Sequence, residues 1–594
     1  MNIDKIILTP KHHLLILLFI AVGLNINTLF NEYVLDDRIV MTENSFVEKG
    51  IKGIPEIFSN DYLGGIFTAE NQIVAKPLYR PLSIVVFAIE HQFFGENPFI
   101  SHLINVLFFA FLISLLYRLL QTYIFNKQND LLAFASCLLF AVHPIHTEVI
   151  ANVKSRDELM AFILLILALI SFIKHTRNRS ITHFISGIIY FFLALLTKES
   201  AVTFIGLVPL VMYFFFNQTI KKFFLFTIPL ILSFVAYMLI RLMAIGLKAP
   251  TLFDIQNFPF LLASASQAFA TKTFILVKYI CKLFYPHPLS WDYGYNQIPY
   301  VEIFSVKFLF SLLIIISLML FAIYTFKRKS LFTFCILYFF ISISIASNFI
   351  VEMVTPFSER LLFQPSLAFC IALGFSYTKI KSRSMILANS ILITILILFS
   401  IKSFIRNGEW RNYETLMLTD VISAPNSLKT NMSALELYDL KANAETNPEL
   451  KNEYYKKAVY YGEQCLKIYS SHPTVYMNLG SAYFGLHDYY KTAQLWQKAY
   501  QLIPDDPEVK KSLEFLSTTF YKQGNGFSES GATDSAIKNY LKATELNNNN
   551  VEAWYNLGGS YYLKKDTISA YHSWGKVKQL DPKHQIKKED FRNK

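Results

Sequence analysis

From Met1 to about Phe404 the chain is a succession of apolar stretches, each near the roughly 20 residues that a helix needs to cross a bilayer. No other feature constrains the fold as strongly. A bilayer offers backbone groups no water, so such stretches fold as helices packed into a bundle. Composition agrees: 53% of the 594 residues are hydrophobic and 16% are charged. Soluble proteins carry about 25% charged residues. A disordered chain and an ordinary soluble enzyme are excluded, and five cysteines exclude a disulfide-built secreted scaffold.

The pattern predicts eleven spans, near 13–30, 99–122, 131–149, 157–174, 182–197, 200–216, 223–243, 304–325, 331–350, 360–378 and 385–404. A twelfth apolar segment, 261–284, carries Gln267, Lys272, Lys278 and Lys282. Positive-inside counting reads it as interfacial or re-entrant. The loops on one side (1–12, 118–130, 174–181, 217–222, 326–330 and 379–384) then hold 15 Lys/Arg against Asp4 and Asp130. The N-terminus is therefore expected in the cytoplasm and the C-terminus outside. The first span lacks a small-residue cleavage site after its apolar run and reads as an anchor. The net charge of +12 is a topology record rather than a nucleic-acid signal. This places the loop 31–98, the interfacial stretch 244–303 and everything after residue 404 on the outer side.

After Ile405 the chain turns polar, with 24 Lys/Arg and 22 Asp/Glu over 405–594. Tyr476-Met-Asn-Leu-Gly-Ser-Ala-Tyr483 returns as Trp554-Tyr-Asn-Leu-Gly-Gly-Ser-Tyr561, and the same offset joins Trp496 to Trp574 and Pro504 to Pro582. Two 34-residue tetratricopeptide units plus an insertion at Gly524–Gly531 account for that offset. A degenerate unit precedes them at about Ser427–His472. Trp496, Trp554 and Trp574 are expected as repeat core. The fold class is thus all-α: a polytopic membrane helical bundle (1–404), a linker (405–426), a tetratricopeptide-repeat α-solenoid (427–584) and a charged tail (585–594).

Ionisable residues at span ends are costly and mark function. Asp36-Asp37 follows the first span, where partial desolvation suits a general base. His143, His146 and Glu148, between the third and fourth spans, could be metal ligands or part of a turn. Lys154 and Arg156 nearby could hold a lipid-linked phosphate, a geometry that suits a guanidinium fork. Alternatively, with Asp157 and Glu158, they form a salt-bridged helix start. Lys198-Glu199, Trp291-Asp292-Tyr293 and Ser358-Glu359-Arg360 complete the polar set.

The order of these motifs is recognisable: Asp36-Asp37, Tyr79-Arg-Pro-Leu82, Leu139-Phe-Ala-Val-His-Pro-Ile-His-Thr-Glu148, Ser155-Arg-Asp-Glu158, Lys198-Glu-Ser200, Trp291-Asp-Tyr293, Ser358-Glu-Arg360, Arg406-Asn-Gly-Glu-Trp-Arg411, then repeats. The chain resembles the transmembrane and tetratricopeptide-repeat protein O-mannosyltransferase family, which is similar in architecture to multi-span glycosyltransferases of the GT-C type. The resemblance implies a polyprenyl-phosphate sugar, mannose, as donor and a protein Ser or Thr acceptor held by the repeats. It maps the family's catalytic acidic pair onto Asp36 and Asp37. Arg156, Lys198 and Arg360 are the implied cations for the donor phosphate. Arg80, His143, His146, Glu148, Asp157, Glu158, Glu199 and Glu359 complete the implied donor site. No nucleotide-cradling loop is present, no cofactor is required and a divalent metal is left open. The Ile/Lys/Asn/Phe bias points to a bacterial inner membrane with periplasmic repeats. The competing reading is a non-enzymatic, membrane-anchored repeat scaffold for envelope or exported proteins.

Overall fold

The computed structural model describes residues 9–66, 77–125, 129–216, 218, 223–247 and 254–587. Most of the expected charged tail, Asp4 and most of the 217–222 loop lie outside them. The chain divides into two compact units, Met1–Ser427 and Leu428–Lys594.

The first unit opens with α1 (Pro10–Gly23) and the short helices α2 (Asp36–Met41), α3 (Ser45–Glu48) and α4 (Ile54–Ser59). Then come α5 (Pro81–Phe94), α6 (Pro98–Arg118), α7 (Asp130–Val142), α8 (Thr147–Ala151) and α9 (Arg156–Asn178). The bundle continues through α10 (Ile181–Thr197), α11 (Phe204–Phe216), α12 (Phe223–Ile245), α13 (Ala265–Phe284) and α14 (Val306–Thr325). It ends with α15 (Leu331–Ile343), α16 (Ser366–Lys381), α17 (Met385–Glu409) and α18 (Tyr413–Ser423). Local chemistry sets several starts. Asn97 accepts the Ile100 N–H ahead of Pro98, Ser305 accepts that of Phe308, and Ser384 that of Leu387. One contiguous apolar core runs through α1, α6, α7, α9, α11, α15 and α16.

Among the described residues, seven helices are long and apolar enough to cross a bilayer, and an eighth if the pair on either side of His143, bent by 54°, is one span. The bend falls where Pro144 removes a backbone donor. Eleven spans are therefore not reached by length and composition. The other three expected spans are helices of 17, 13 and 16 residues (α10, α15 and α16). The segment expected at the interface is the 20-residue α13.

The expected linker 405–426 is no linker. It is the end of α17 followed by α18, locked by Arg406, whose guanidinium donates to both Asp420 oxygens at 2.6 and 2.9 Å. Asn407 Nδ2 donates to the Leu24 carbonyl and Asn25, and Glu32 N donates to the Arg411 carbonyl. The Arg406–Arg411 motif thus ties the end of α17 to the end of α1.

The second unit is four helix pairs: α19 (Leu428–Ala444) with α20 (Pro448–Ile468), α21 (Pro473–Gly485) with α22 (Tyr489–Leu502), α23 (Pro507–Glu529) with α24 (Thr533–Leu546), and α25 (Val551–Leu563) with α26 (Thr567–Leu580). The insertion makes no loop. It lengthens α23 to 23 residues, where α21 and α25 have 13. Trp496 and Trp574 are buried, with their indole N–H donating to the Met477 and Tyr555 carbonyls. Trp554 is only half-buried, its N–H on the Asn548 carbonyl.

The repeated glycine is dictated by that indole. A Cβ on Gly558 would lie 2.4 Å from Trp574 Nε1, and one on Gly480 would lie 2.3 Å from Trp496 Nε1. Gly558→Val should therefore cost about 1–3 kcal/mol by overpacking. Limited proteolysis of the full chain should show the repeats cut faster; an unchanged rate would contradict this packing account.

Candidate active site

The polar residues gather at the end of the bundle that carries the 31–98 loop. α2 begins directly at the acidic pair, and six residues of helix suffice to send its two carboxylates apart. Asp37 is fully buried: Oδ1 accepts the Lys154 backbone N–H at 2.7 Å and Oδ2 accepts that of Val34 at 3.3 Å. Asp36 stays accessible, with 43% of its side chain exposed, and its Oδ2 lies 3.9 Å from Lys154 Nζ.

Burial pushes the Asp37 carboxyl up to about 7, against the pull of its two N–H donors. The folded protein thus favours neutral Asp37. That preference adds stability that is fully present below about pH 4 and is lost as pH rises through about 7. Asp37→Asn should flatten the pH dependence of Tm across that window. A variant that kept the wild-type slope would assign the slope elsewhere.

A chain of ion pairs adjoins Asp36. Arg80 donates through Nε and a terminal nitrogen to both Glu199 oxygens, at 2.8 and 2.5 Å, and through the other to Asp157 at 2.7 Å. Lys198 Nζ donates to Asp157 at 2.9 Å and meets Glu158 at 2.8 Å. Arg360 donates its backbone N–H and one guanidinium N–H to the two oxygens of Glu148, at 3.1 and 3.2 Å. Arg80 and Lys198 are therefore already neutralised by carboxylates and only 6% of each side chain is exposed. Arg360 keeps 27% of its side chain exposed; Lys154 keeps 9%, lies 3.9 Å from the Asp36 carboxylate and feels the charge of Asp157 more strongly still. Those two cations retain capacity for an anion.

Four expected donor-site residues serve the frame instead. Arg156 is fully buried; it donates to Glu90, to Asn105 Oδ1 at 2.7 Å and to the Ser101 carbonyl at 3.0 Å, over the Phe87 ring. Sealed from solvent and neutralised by Glu90, its guanidinium is closed to a phosphate. His143 uses both ring nitrogens, on the Leu283 carbonyl and the Ile145 N–H. His146 does the same with the Phe140 carbonyl and Ser366. The two histidines stabilise the break between α7 and α8, and among the described residues no group of three or more His, Cys, Asp or Glu converges as a metal site. Glu359 is buried, accepting from Ser290 N at 2.8 Å and the Tyr293 hydroxyl at 2.5 Å, and burial pushes its carboxyl up to about 7. It anchors the Trp291-Asp292-Tyr293 stretch, which Asp420 also holds through the Trp291 N–H.

Sequence reasoning missed Glu90 and Tyr62. Glu90 sits on an apolar helix that reads as plain core, and only its single charge, nine residues past Pro81, could have flagged it.

The fold and the site together define a class: a multi-pass, all-helical membrane protein with a charged cluster at one end of its bundle and a tetratricopeptide array at its C-terminal end. Known proteins agree. A family model described as TPR repeat matches residues 524–565. The chain is 24% identical over 642 residues to human protein O-mannosyl-transferase TMTC3, covering 94% of this chain and 67% of that protein. Human protein O-mannosyl-transferase TMTC1 is 26% identical, over 76% of this chain and 55% of its own length. A Caenorhabditis elegans protein O-mannosyl-transferase, F38B6.6, is 25% identical, over 70% of this chain and 58% of its own length. The chain thus spans about two thirds or less of the relatives it matches. Among solved structures, the crystal structure of MamA protein is similar at 18% identity over 29% of this chain and 84% of that one, with a TM-score of 0.18.

Proposed function

We propose that the protein is an integral-membrane glycosyltransferase that moves a sugar, mannose by analogy with the named relatives, from a polyprenyl-phosphate donor to Ser or Thr of a protein, with the repeats holding the acceptor. One observation carries the reading: an accessible carboxylate, Asp36, faces two cations with spare capacity, Lys154 and Arg360. In the proposed reaction Asp36 takes the proton of the acceptor hydroxyl as its oxygen attacks the anomeric carbon. The bond from that carbon to the phosphate oxygen breaks, and Lys154 and Arg360 stabilise the departing phosphate. Asp37 holds the Lys154 backbone in place beside Asp36. The Lys/Arg distribution supports a cytoplasmic N-terminus and a site and repeats facing away from the cytoplasm, in a bacterial inner membrane.

Intact-mass glycoproteomics of envelope proteins with and without the protein tests this. Loss of a hexose from Ser or Thr upon deletion supports transfer and gives the sugar mass. Unchanged glycosylation alongside retained partner capture by the repeats would establish the scaffold reading instead.

A further inference from the structure

Tyr62 stands out at the candidate site, although neither the motif order nor the ion-pair chain includes it. It follows α4, and its backbone N–H donates to the Leu78 carbonyl at 2.8 Å, which ties this turn to the segment leading into Arg80. Its ring is 5% exposed and packs in a small core with Val40, Ile57, Ile84 and Val153. Two cations approach the ring: the Arg80 guanidinium carbon and Lys154 Nζ each lie 5.8 Å from its centroid. An aromatic face attracts cations, so the ring lets two like charges sit close together. The hydroxyl is buried and has no hydrogen-bond partner among the described residues. The charges it feels most are Asp157, Arg80, Asp36 and Arg360, all members of the site. A shallow surface cleft adjoins it, with Asn60, Asp61 and Arg80 in its wall.

A buried hydroxyl left without a partner costs about 1–3 kcal/mol, so folds seldom keep one in a rigid core unless something else satisfies it. Phe would fill the same space and stack with the same cations without that cost. We propose that the Tyr62 hydroxyl is a donor-binding group, giving its hydrogen bond to a phosphate oxygen of the lipid-linked sugar held between Lys154 and Arg360. This rests on the transfer reading above. A phenol O–H directed at a phosphate adds a donor without adding charge, which suits a cluster already rich in ion pairs.

Tyr62→Phe keeps the ring and both cation contacts and removes only the hydrogen bond. In full-length protein in lipid nanodiscs, with polyprenyl-phosphate mannose and a Ser/Thr peptide, the variant should raise the donor KM by about tenfold or more. The peptide KM should stay at the wild-type value, and the Tm of the ligand-free protein should hold or rise, since the unpartnered buried hydroxyl is gone. Tyr62→Leu, which also removes the ring, should add a loss of Tm. A Tyr62→Phe variant with the wild-type donor KM would overturn the proposal, and so would one in which Tm falls and both KM values rise together, since that marks a structural hydroxyl. If the wild-type protein transfers no sugar, the transfer reading itself fails. Equilibrium binding of polyprenyl phosphate alone then decides: weaker binding by Tyr62→Phe supports the phosphate contact, and equal binding overturns it.

Discussion

Asp36→Asn is expected to lower kcat for sugar transfer by about 10³-fold while leaving Tm and the donor KM near wild type. The size follows from the proposed role, since a positioned general base contributes about 10²–10⁴. Its selectivity follows from the geometry. Asp36 has 43% of its side chain exposed and its Oδ2 lies 3.9 Å from Lys154 Nζ, so the isosteric amide stays hydrated. The neighbouring substitution should behave differently. Asp37 carries two backbone hydrogen bonds, and in Asp37→Asn one of them meets an amide N–H₂ if the other is kept. That variant should lose about 1–3 kcal/mol of stability and transfer activity only in proportion to the displacement of Lys154. Single-turnover rates and thermal unfolding of both purified variants make the comparison. If Asp37→Asn, and not Asp36→Asn, were catalytically dead at unchanged Tm, the two roles would have to be exchanged.

The two aspartates also mark where sequence reading reaches its limit. Adjacency in sequence put both at the right place, but a helix turns by about 100° per residue, so one of them points into the core and the other away from it. Only the fold tells which. The same holds for Glu359 and Arg360: one is buried under Tyr293 and the other reaches Glu148. Apolar length and the repeat period were legible because each is written over tens of residues. The insertion was legible as extra length but not as a shape, since nothing in Gly524–Gly531 announces that α23 runs on to Glu529. Asn407 and Glu32 form contacts almost the full length of the first unit apart in sequence, so a linker was the natural expectation for a stretch that instead closes the bundle.

The partners of Arg156 separate a framework cation from a binding one, with the largest expected effect on stability. A sequence motif suggests that Arg156 and Arg360 are equivalent phosphate ligands; their surroundings say otherwise. Arg156 is sealed in the protein with Glu90, Asn105 and Ser101, and Ser101 in turn donates to Glu90 and meets the Tyr33 hydroxyl at 2.7 Å. Removing one member of such a pair strands the other charge, at a cost of about 3–5 kcal/mol. Arg156→Leu should therefore leave little folded protein in the membrane, and Glu90→Gln should do much the same. Removing both charges together leaves neither stranded, so the Glu90→Gln, Arg156→Leu double variant should recover part of the lost Tm. Arg360→Lys should show the opposite signature: it keeps a cation beside the buried Glu148 but loses the guanidinium fork, so Tm should change little while the donor KM rises. Detergent-solubilised Tm together with accumulation in membranes reads the first effect, and donor titration reads the second. A stable Arg156→Leu protein that bound donor weakly would return this arginine to the donor site.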